Sequence, residues 1–296
     1  MSLNQTLQFI VNHPLNRNHK ASALFRFLKW QIGSRLVPGP VVFEWIAQSK
    51  MIVRPGDRGM TQNIYCGLHD FREMAYLLHS LTDQDLFVDV GANVGSYTVL
   101  ACAARGARGY CFEPVPSTFA RLTDNLTVNN LSGRVTALNI GVSDHEGVLK
   151  FTVGTGPTNH VASETDGQAD LLSVPVRTLD EVLAGESPSM IKIDVEGFES
   201  PVLDGAAATL ANPSLHSIVI ELNGAGSRYG FDEGDIIRRL SGYGFVSYLY
   251  EPFTRELCAI SGKNTTSDNT LFVRNADALQ ERLKRAPRIS AGSVEF

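Results

Sequence analysis

The stretch that decides the fold is "LFVDVGANVGSYTVL", residues 86–100. Apolar and β-branched residues lead to Asp89, two glycines then stand four positions apart with Asn93 between them, and helix-forming residues follow. This order predicts a strand that ends in a turn, with a helix directly after the turn. In a doubly wound sheet, ligands bind beyond the carboxyl ends of the strands, and the turn after the first strand is the usual place. We therefore expect this turn to form part of a ligand-binding site.

The glycine pattern of the turn departs from that of a dinucleotide site. Gly91 can form the tight turn, and Gly95 allows the helix to pack close to the strand. A dinucleotide fingerprint has a further glycine between them, where the backbone meets the pyrophosphate, and here Asn93 holds that place. Asp89 adds negative charge beside any phosphate. The pattern therefore favours S-adenosylmethionine, whose cationic groups Asp89 would attract and which carries no phosphate.

Polar residues also follow the next two strands. The second strand ends in "GYCFEP", which places Glu113 22 residues after Gly91, where an acid can accept both ribose hydroxyls of an adenosine. The third ends in "NIGVSDHEG", so Ser143 and Asp144 are expected at the same rim, where an acid can accept the adenine amine. Taken alone, the spacing of Glu113 also suits NAD, and the strand-end acids can instead be helix caps. Three acids at three successive strand ends favour the nucleoside site.

Composition limits the class of protein. The 296 residues are 43% hydrophobic and 19% charged, with a formal net charge of −5, which is ordinary for a globular protein and argues against a nucleic-acid binder. The four scattered cysteines form no C-x-x-C pair, so we expect reduced structural thiols and a cytoplasmic location. No apolar run reaches the length of a membrane span, and the N-terminus lacks the pattern of a signal peptide.

Strands and helices alternate from residue 86 onward. The predicted strands are 86–90, 109–113, 134–141, 189–194, 216–222 and 244–250, with a last one in "SDNTLFVRN". The predicted helices are 96–104, 116–129, 178–184, 199–210 and 232–241. Such alternation predicts βαβ units and an α/β fold with a mostly parallel, doubly wound sheet. Residues 148–177 break the rhythm and are expected to form a β excursion around an exposed loop.

The first 64 residues are predicted to form a helical extension. In "ASALFRFLKWQIGSRLV", the apolar residues Leu24, Phe25, Leu28 and Ile32 stand at helical spacing, and basic residues lie outside that stripe. A basic stripe on such a helix suits a membrane or a partner. The alternative, which we favour, is the solvated face of a helix packed on the main domain.

The second informative stretch is "PSMIKIDVEGFES", residues 188–200. Alternation puts Lys192, Asp194 and Glu196 on one face of the fourth strand, whereas central parallel strands are normally apolar on both faces. The row is therefore either a buried ion-pair network or the wall of a cleft, and its position at the carboxyl end of the strand favours the cleft. The next strand, "SIVIELNG", adds Glu221 and Asn223 on one face.

These polar groups leave two questions of chemistry. Asp194, Glu221 and Asn223 are oxygen ligands of the type that Mg²⁺ prefers, but they can equally hold substrate hydroxyls, and we predict no metal. His69 and His160 are candidates for a general base, although a lone histidine is more often a surface or structural residue.

Together these residues resemble the FkbM family of class I S-adenosylmethionine-dependent methyltransferases. The resemblance covers about residues 65–275 and rests on five segments in order: "FVDVGANVGSYT", "FEPVPSTFARLTDNLTVNN", "NIGVSDHEG", "VRTLDEVL" and "IKIDVEGFESPVLDGA". It implies a Rossmann-like, doubly wound, seven-stranded sheet with an antiparallel terminal hairpin. It also implies methyl transfer, mostly to hydroxyls of sugars, lipids or polyketides.

The resemblance implies roles for individual positions. It assigns cofactor binding to Asp89, Gly91, Asn93, Gly95, Glu113, Ser143 and Asp144, and it matches Lys192, Asp194 and Glu196 to the motif of the fourth strand. Family members often have a glutamate before the first strand, where this chain has Asp70. We expect residues 65–275 to be the cofactor-binding domain, with the excursion at 148–177 inside it, and residues 276–296 to be a C-terminal helix and tail.

The sequence therefore predicts O-methylation of a small-molecule or glycan hydroxyl. We expect Asp194 to take the proton of the acceptor, Glu196 or Glu221 to orient it, and residues 154–172 with the N-terminal helices to form a lid and substrate wall. The alternatives are an NAD-dependent oxidoreductase, which shares the turn and Glu113, and a non-catalytic binding protein on a methyltransferase scaffold.

Overall fold

The predicted first strand lies inside a large mixed sheet. The computed structural model describes residues 2–37, 39–154, 158–163, 166–167 and 170–296. The strands, in chain order, are β1 (Val41–Glu44), β2 (Lys50–Val53), β3 (Leu86–Val90), β4 (Arg108–Phe112), β5 (Val135–Leu138), β6 (Gly141–Val142), β7 (Gly147–Thr152), β8 (Leu171–Arg177), β9 (Met190–Ile193), β10 (Ser217–Glu221), β11 (Val246–Glu251), β12 (Glu256–Ala259), β13 (Asn269–Val273), β14 (Ser290–Ala291) and β15 (Val294–Glu295).

The α-helices, in chain order, are α1 (Leu3–Asn12), α2 (Lys20–Leu36), α3 (Arg58–Cys66), α4 (Phe71–Ser80), α5 (Ser96–Val99), α6 (Pro116–Val128), α7 (Leu179–Val182), α8 (Glu199–Asp204), α9 (Ala207–Ala211), α10 (Glu233–Gly242) and α11 (Ala276–Arg285). The predicted helix 96–104 is continuous, but α5 passes into a π-helical turn over Leu100–Ala104. No helix in the described residues is long and apolar enough to cross a membrane.

The order of the large sheet is β12-β11-β13-β10-β9-β3-β4-β5. The strands from β10 through β5 run parallel, and β13, β11 and β12 pair antiparallel, which confirms the mostly parallel α/β architecture and its antiparallel terminal hairpin. The chain moves outward from β3 to β5 and then returns to β9 on the other side of β3. The strand order therefore reverses between β3 and β9, which is where such sheets bind ligands.

The described part of the large sheet has eight strands rather than the predicted seven. The additional strand is β12, which a turn at residues 252–255 folds back onto β11. Arg255 adopts a left-handed φ of 62° in that turn. β12 is only four residues long and has no buried residue, so it lacks the apolar pattern by which a strand is recognised.

The third predicted strand, 134–141, is shorter than expected, because β5 ends at Leu138. The chain then enters a second sheet of order β6-β8-β7, in which β6 is parallel and β7 antiparallel to β8. The predicted β excursion therefore exists but begins at Gly141 instead of residue 148. Residues 155–157, 164–165 and 168–169 of its loop lie outside the described residues.

The N-terminal region contains a β-hairpin as well as the predicted helices. The hairpin β1–β2 is docked on α6 by side-chain amides: Asn129 accepts from the Lys50 backbone N–H at 2.8 Å, and Asn125 accepts from that of Ile52 at 2.7 Å. Most buried side chains of this region form a hydrophobic cluster with Val94 and Val99, which belong to the glycine turn and its helix. The region is thus packed directly against the predicted ligand site.

Candidate active site

The glycine turn after β3 lies against the backbone of Asp194, directly after the neighbouring strand β9. Gly91 has a φ of +78°, and a Cβ built on it would lie 1.8 Å from the carbonyl oxygen of Asp194. The Asp194 backbone N–H in turn donates to the Val90 carbonyl at 3.0 Å. Only glycine fits here, because any larger residue would meet main chain on a strand that cannot move freely. This contact brings the turn and the fourth-strand motif together.

Glu113 supports the turn from the end of β4. One carboxylate oxygen accepts from the Asn93 backbone N–H at 3.0 Å, and the other accepts from that of Val115 at 3.0 Å. Asn93 has a left-handed φ of 51°, which asparagine tolerates better than most residues. Burial raises the pKa of Glu113 to about 7. Each oxygen keeps further acceptor capacity, so Glu113 can hold the turn and accept two ligand hydroxyls.

Asp89 holds the helix that follows the turn. Its carboxylate accepts from both the backbone N–H and the hydroxyl of Thr98, at 3.0 and 2.6 Å. The residue is 2% exposed, and burial raises the pKa of its carboxyl to about 6. Gly95 is the left-handed N-cap of this helix, which places α5 close to α6. Asp89 therefore stabilises the helix that follows the turn, and it also lies close to any ligand bound at the turn.

A cavity of about 610 Å³ opens above the turn. Its lining includes Asp70, Asp89, Tyr97, Lys192 and Asp194. The Lys192 ammonium is buried, lies 2.7 Å from the Asp194 carboxylate and sits 4.8 Å from the centre of the Tyr97 ring. Burial alone would lower the pKa of Lys192, but Asp194 and Asp89 raise it, so the side chain stays charged. The two readings of the fourth strand are thus both partly correct, since the ion pair also forms the cavity wall.

Asp70 joins this cavity from the N-terminus of α4. It contacts His69 Nδ1 at 3.0 Å, and it accepts from the Tyr97 hydroxyl at 3.1 Å. Burial alone would raise the pKa of Asp70, but His69 and Lys192 lower it to about 2. Asp70 therefore adds a fixed negative charge to the same cavity. His69 lines this cavity too.

A second cavity of about 160 Å³ lies beside the first and shares Gly91, Asn93 and Asp194 with it. Glu113, Glu196 and Glu221 complete its acidic lining. Burial and the charge of Asp194 raise the pKa of Glu196 to about 7, and the same causes raise the pKa of Glu221 above neutrality. One Glu221 oxygen is buried without a hydrogen-bond partner among the described residues. This cavity can therefore both accept and donate hydrogen bonds.

Asp194, Glu196 and Glu221 also form the group of side chains that could hold a divalent cation. One oxygen from each lies within 4.8 Å of the others. Three ionised carboxylates this close would repel one another, and a bound cation would reduce that repulsion. Protonation of Glu221 also reduces it, because the raised pKa of Glu221 leaves this side chain neutral at physiological pH. Asn223, which the sequence offered as a third ligand, instead accepts from the Ala225 backbone N–H at 2.8 Å.

Ser143 and Asp144 do not reach either cavity as the described residues outline them. The Ser143 hydroxyl is buried and donates to Asp144 at 3.0 Å, while Asp144 pairs with His145 on the surface. The backbone of Gly205 packs so closely here that a Cβ would lie 2.1 Å from the Ser143 carbonyl oxygen. These residues are displaced because β5 ends at Leu138 and the next residues belong to the second sheet. The geometry gives no support to their predicted place at the adenine rim.

Asn139 occupies the end of the third strand instead. Its side-chain amide donates to the backbone carbonyls of Glu113 and Pro114, at 2.8 and 3.0 Å. The other histidine considered, His160, lies in the excursion and contacts Asp166 at 2.8 Å. It lines neither cavity in the described residues, so it is poorly placed as a general base.

The fold also brings to the site residues that the sequence does not predict there. Tyr97 lies in a predicted helix, and nothing in its local pattern shows that it contacts Asp70 and Lys192. Glu199 is buried and accepts from the backbone N–H groups of Val195 and Gly197, which fixes the loop after β9. Met60 of α3 lines the first cavity, although the N-terminal region carried no motif.

Comparisons with known proteins agree with the predicted family. The profile of the FkbM methyltransferase domain matches residues 89–247. The chain is 32% identical over 170 residues to the hexuronic acid methyltransferase AglP of Haloferax volcanii, a match that covers 56% of this chain and 65% of that protein. It is 30% identical over 148 residues to the 2-O-methyltransferase NoeI of Sinorhizobium fredii, covering 42% of this chain and 58% of that protein. The chain thus spans less than two thirds of the length of these curated relatives.

A methyltransferase FkbM from Methylobacillus flagellatus aligns with a TM-score of 0.45 at 17% identity, over 74% of this chain and 55% of that chain.

Proposed function

The chain belongs to the FkbM methyltransferase family, and from this premise we propose that it transfers a methyl group from S-adenosylmethionine to a hydroxyl of a sugar, lipid or secondary metabolite. The observation that carries the proposal is the position of Asp194. Asp194 lines both cavities, and its backbone carbonyl lies against Gly91 of the turn. A group in this position can contact a cofactor on one side and an acceptor on the other. Relatives named as a hexuronic acid methyltransferase and a 2-O-methyltransferase support a sugar hydroxyl as the acceptor.

The residues of the two cavities fit the proposed cofactor. S-Adenosylmethionine carries a sulfonium and an ammonium, and Asp70, Asp89 and Asp194 give the first cavity a negative lining. A volume of about 610 Å³ is within the ordinary range for a small-molecule site. Glu113 lines the second cavity beside Gly91 and Asn93, which both cavities share, and it keeps acceptor capacity for ribose hydroxyls beyond its two backbone bonds. When bound there, the cofactor supplies an electrophilic methyl group.

The protein's part of the reaction is alignment and proton removal. Holding the two reactants in near-attack geometry can remove roughly 7–11 kcal/mol of a barrier. The acceptor hydroxyl must also lose its proton, and a positioned base contributes roughly 10²–10⁴-fold. We assign that base to Asp194, whose orientation the Lys192 ammonium fixes at 2.7 Å. Glu196 and Glu221 then hold the acceptor, with neutral Glu221 donating to one of its oxygens.

The acceptor is proposed to enter through the second cavity. Phe151 and Asn159 of the excursion line that cavity together with the acidic side chains. An aromatic face beside several hydrogen-bonding groups is a common arrangement for binding a sugar ring, which has an apolar face and hydroxyl edges. The predicted lid at 154–172 contributes Asn159 among its described residues.

Calorimetric titration with S-adenosylhomocysteine tests the proposal, with NADH as the competing ligand. We expect binding of S-adenosylhomocysteine alone, and a loss of roughly tenfold to a hundredfold in Glu113→Gln, because a hydrogen bond to a charged group contributes about 1.5–3 kcal/mol. Glu146→Gln, which changes an exposed acid outside both cavities, is the matched control.

The pH dependence of the same titration makes the test sharper. Ribose hydroxyls donate to the ionised carboxylate, and burial raises the pKa of Glu113 to about 7, so affinity should increase from pH 6 to pH 8 in the wild-type protein and not in Glu113→Gln. NADH binding without S-adenosylhomocysteine binding would refute the assignment. Binding without methyl transfer to any hydroxylated acceptor would favour a non-catalytic protein on this scaffold.

A further inference from the structure

Helix α2 leaves a row of large apolar side chains in solvent. Phe25 is 67% exposed, Leu28 54%, Ile32 58% and Leu36 75%. At about 100° per residue, these four positions share one face of the helix. We call these four residues the α2 stripe. Single exposed apolar residues are ordinary, but a contiguous row of four marks a surface that binds something.

The core of the protein does not need this face, because α2 has a second apolar face that packs inward. Ala23 and Phe27 are buried in the N-terminal cluster, with Trp30 packed against it. The inward side is also fixed by Arg26, which donates to the Tyr65 carbonyl at 2.8 Å. The outer face of the packed helix, which we expect from the sequence to be a solvated face, carries the apolar side chains of Phe25, Leu28 and Ile32.

The charge of this region is opposite to that of the rest of the chain. Residues 1–43 contain five basic residues and no acidic one. The remaining residues contain 21 basic and 31 acidic side chains, a formal charge of −10. Lys29 and Arg35 are both exposed, and the helical period places one on each side of the α2 stripe. An acidic protein thus carries a basic, apolar helix face.

From these observations we infer that α2 docks the protein on an anionic membrane surface. A helix with apolar residues along one line and lysine or arginine beside it lies in the headgroup layer, where the apolar side chains enter the acyl boundary and the cations contact anionic lipids. The occupant is a bilayer rather than an acidic protein, because the aliphatic and aromatic stripe lies between the two cations, as an interface between water and lipid requires. The 17 residues of α2 do not form a membrane-crossing helix, so it lies along the surface.

Sedimentation of the full chain with vesicles tests this inference independently of methyl transfer. We expect binding to vesicles of phosphatidylcholine and phosphatidylglycerol in equal parts, weak binding to phosphatidylcholine alone, and release at high salt. Lys29→Gln with Arg35→Gln should weaken partitioning roughly 30-fold, since each basic side chain near an anionic surface contributes roughly fivefold. Leu28→Ser and Ile32→Ser should each weaken it roughly tenfold.

Matched controls exist on the second sheet, where Val148 is 65% exposed and Lys150 is also exposed. Val148→Ser and Lys150→Gln should leave partitioning unchanged. Circular dichroism tests whether each variant is folded. We expect all of them to fold, because all the changed side chains are at the surface. No binding to anionic vesicles, or equal losses in the control variants, would overturn the inference. A dimer in light scattering that Ile32→Ser dissociates, without vesicle binding, would assign the face to a second copy of the chain and also overturn it.

Discussion

Replacing Gly91 with alanine is expected to damage both the stability of the protein and its ligand-binding turn. The added Cβ would lie 1.8 Å from the Asp194 carbonyl oxygen, and the obstacle is main chain directly after β9, a strand that pairs with β3. A non-glycine residue at a left-handed φ costs roughly 1–2 kcal/mol. Forcing extra volume into a packed site adds about 1–3 kcal/mol, which gives a total loss of roughly 2–5 kcal/mol.

The matched control is Gly185→Ala. Gly185 has a φ of +81°, against +78° at Gly91, but a Cβ there meets nothing within 4 Å. Gly185→Ala should therefore lower the free energy of unfolding only by the cost of a left-handed φ at alanine, roughly 1–2 kcal/mol. Urea unfolding followed by circular dichroism measures both free energies, and their difference isolates the close approach of the turn to β9.

A second measurement connects this clash with function. Gly91→Ala should also weaken S-adenosylhomocysteine binding, because moving the turn displaces the backbone N–H of Asn93 from Glu113. Gly185 precedes the opposite end of β9, so its substitution should leave affinity unchanged. Equal free energies of unfolding for the two variants would refute the argument about close approach. Full ligand affinity in Gly91→Ala would show that the turn is not the binding site.

Three further outcomes follow from the acidic side chains. Asp194→Asn should lower turnover by roughly 10²–10⁴-fold and leave the dissociation constant of S-adenosylhomocysteine within a few-fold of wild type; unchanged turnover would remove Asp194 as the base. Glu221→Gln should keep most activity because the amide mimics a neutral carboxyl, whereas Glu221→Leu should lose activity. Loss of activity with a chelator would show instead that the carboxylates of Asp194, Glu196 and Glu221 hold a cation. Burial and the charge of Asp194 raise the pKa of Glu196 from 4.5 to about 7, so its contribution to stability is complete below pH 4.5 and is lost as pH rises through 7. Glu196→Gln should flatten that part of the pH profile of the free energy of unfolding. An unchanged profile would contradict the raised pKa of Glu196.

The sequence predicted those parts of the site that depend on local pattern. A strand, a turn and a helix at 86–100 could be recognised because strand period and turn glycines are properties of neighbouring residues. The same holds for the polar face of the fourth strand, since alternation alone puts Lys192 and Asp194 on one side. The family resemblance extended this to the antiparallel hairpin at the end of the sheet.

Prediction failed where the end of an element depended on its partners. The sequence predicts that the third strand continues to residue 141, whereas its pairing with β4 ends at Leu138. The residues that follow pair with Arg177 and its neighbours in another sheet, from more than 30 positions away in the chain. No short window of sequence contains both β4 and β8, the two strands between which the pairing of this segment changes.

What the sequence by itself determined is therefore the fold class, the family, the turn at Gly91–Gly95 and the acids of the central strands. Only the tertiary structure decided that Asp194 lines both cavities, that Tyr97 joins Asp70 to Lys192, and which of the two apolar faces of α2 is buried. The physical reason is the range of the interactions. Backbone conformation and periodicity are set within a few residues, but which side chains meet in a cleft depends on the order of strands and the packing of helices that are far apart in the chain.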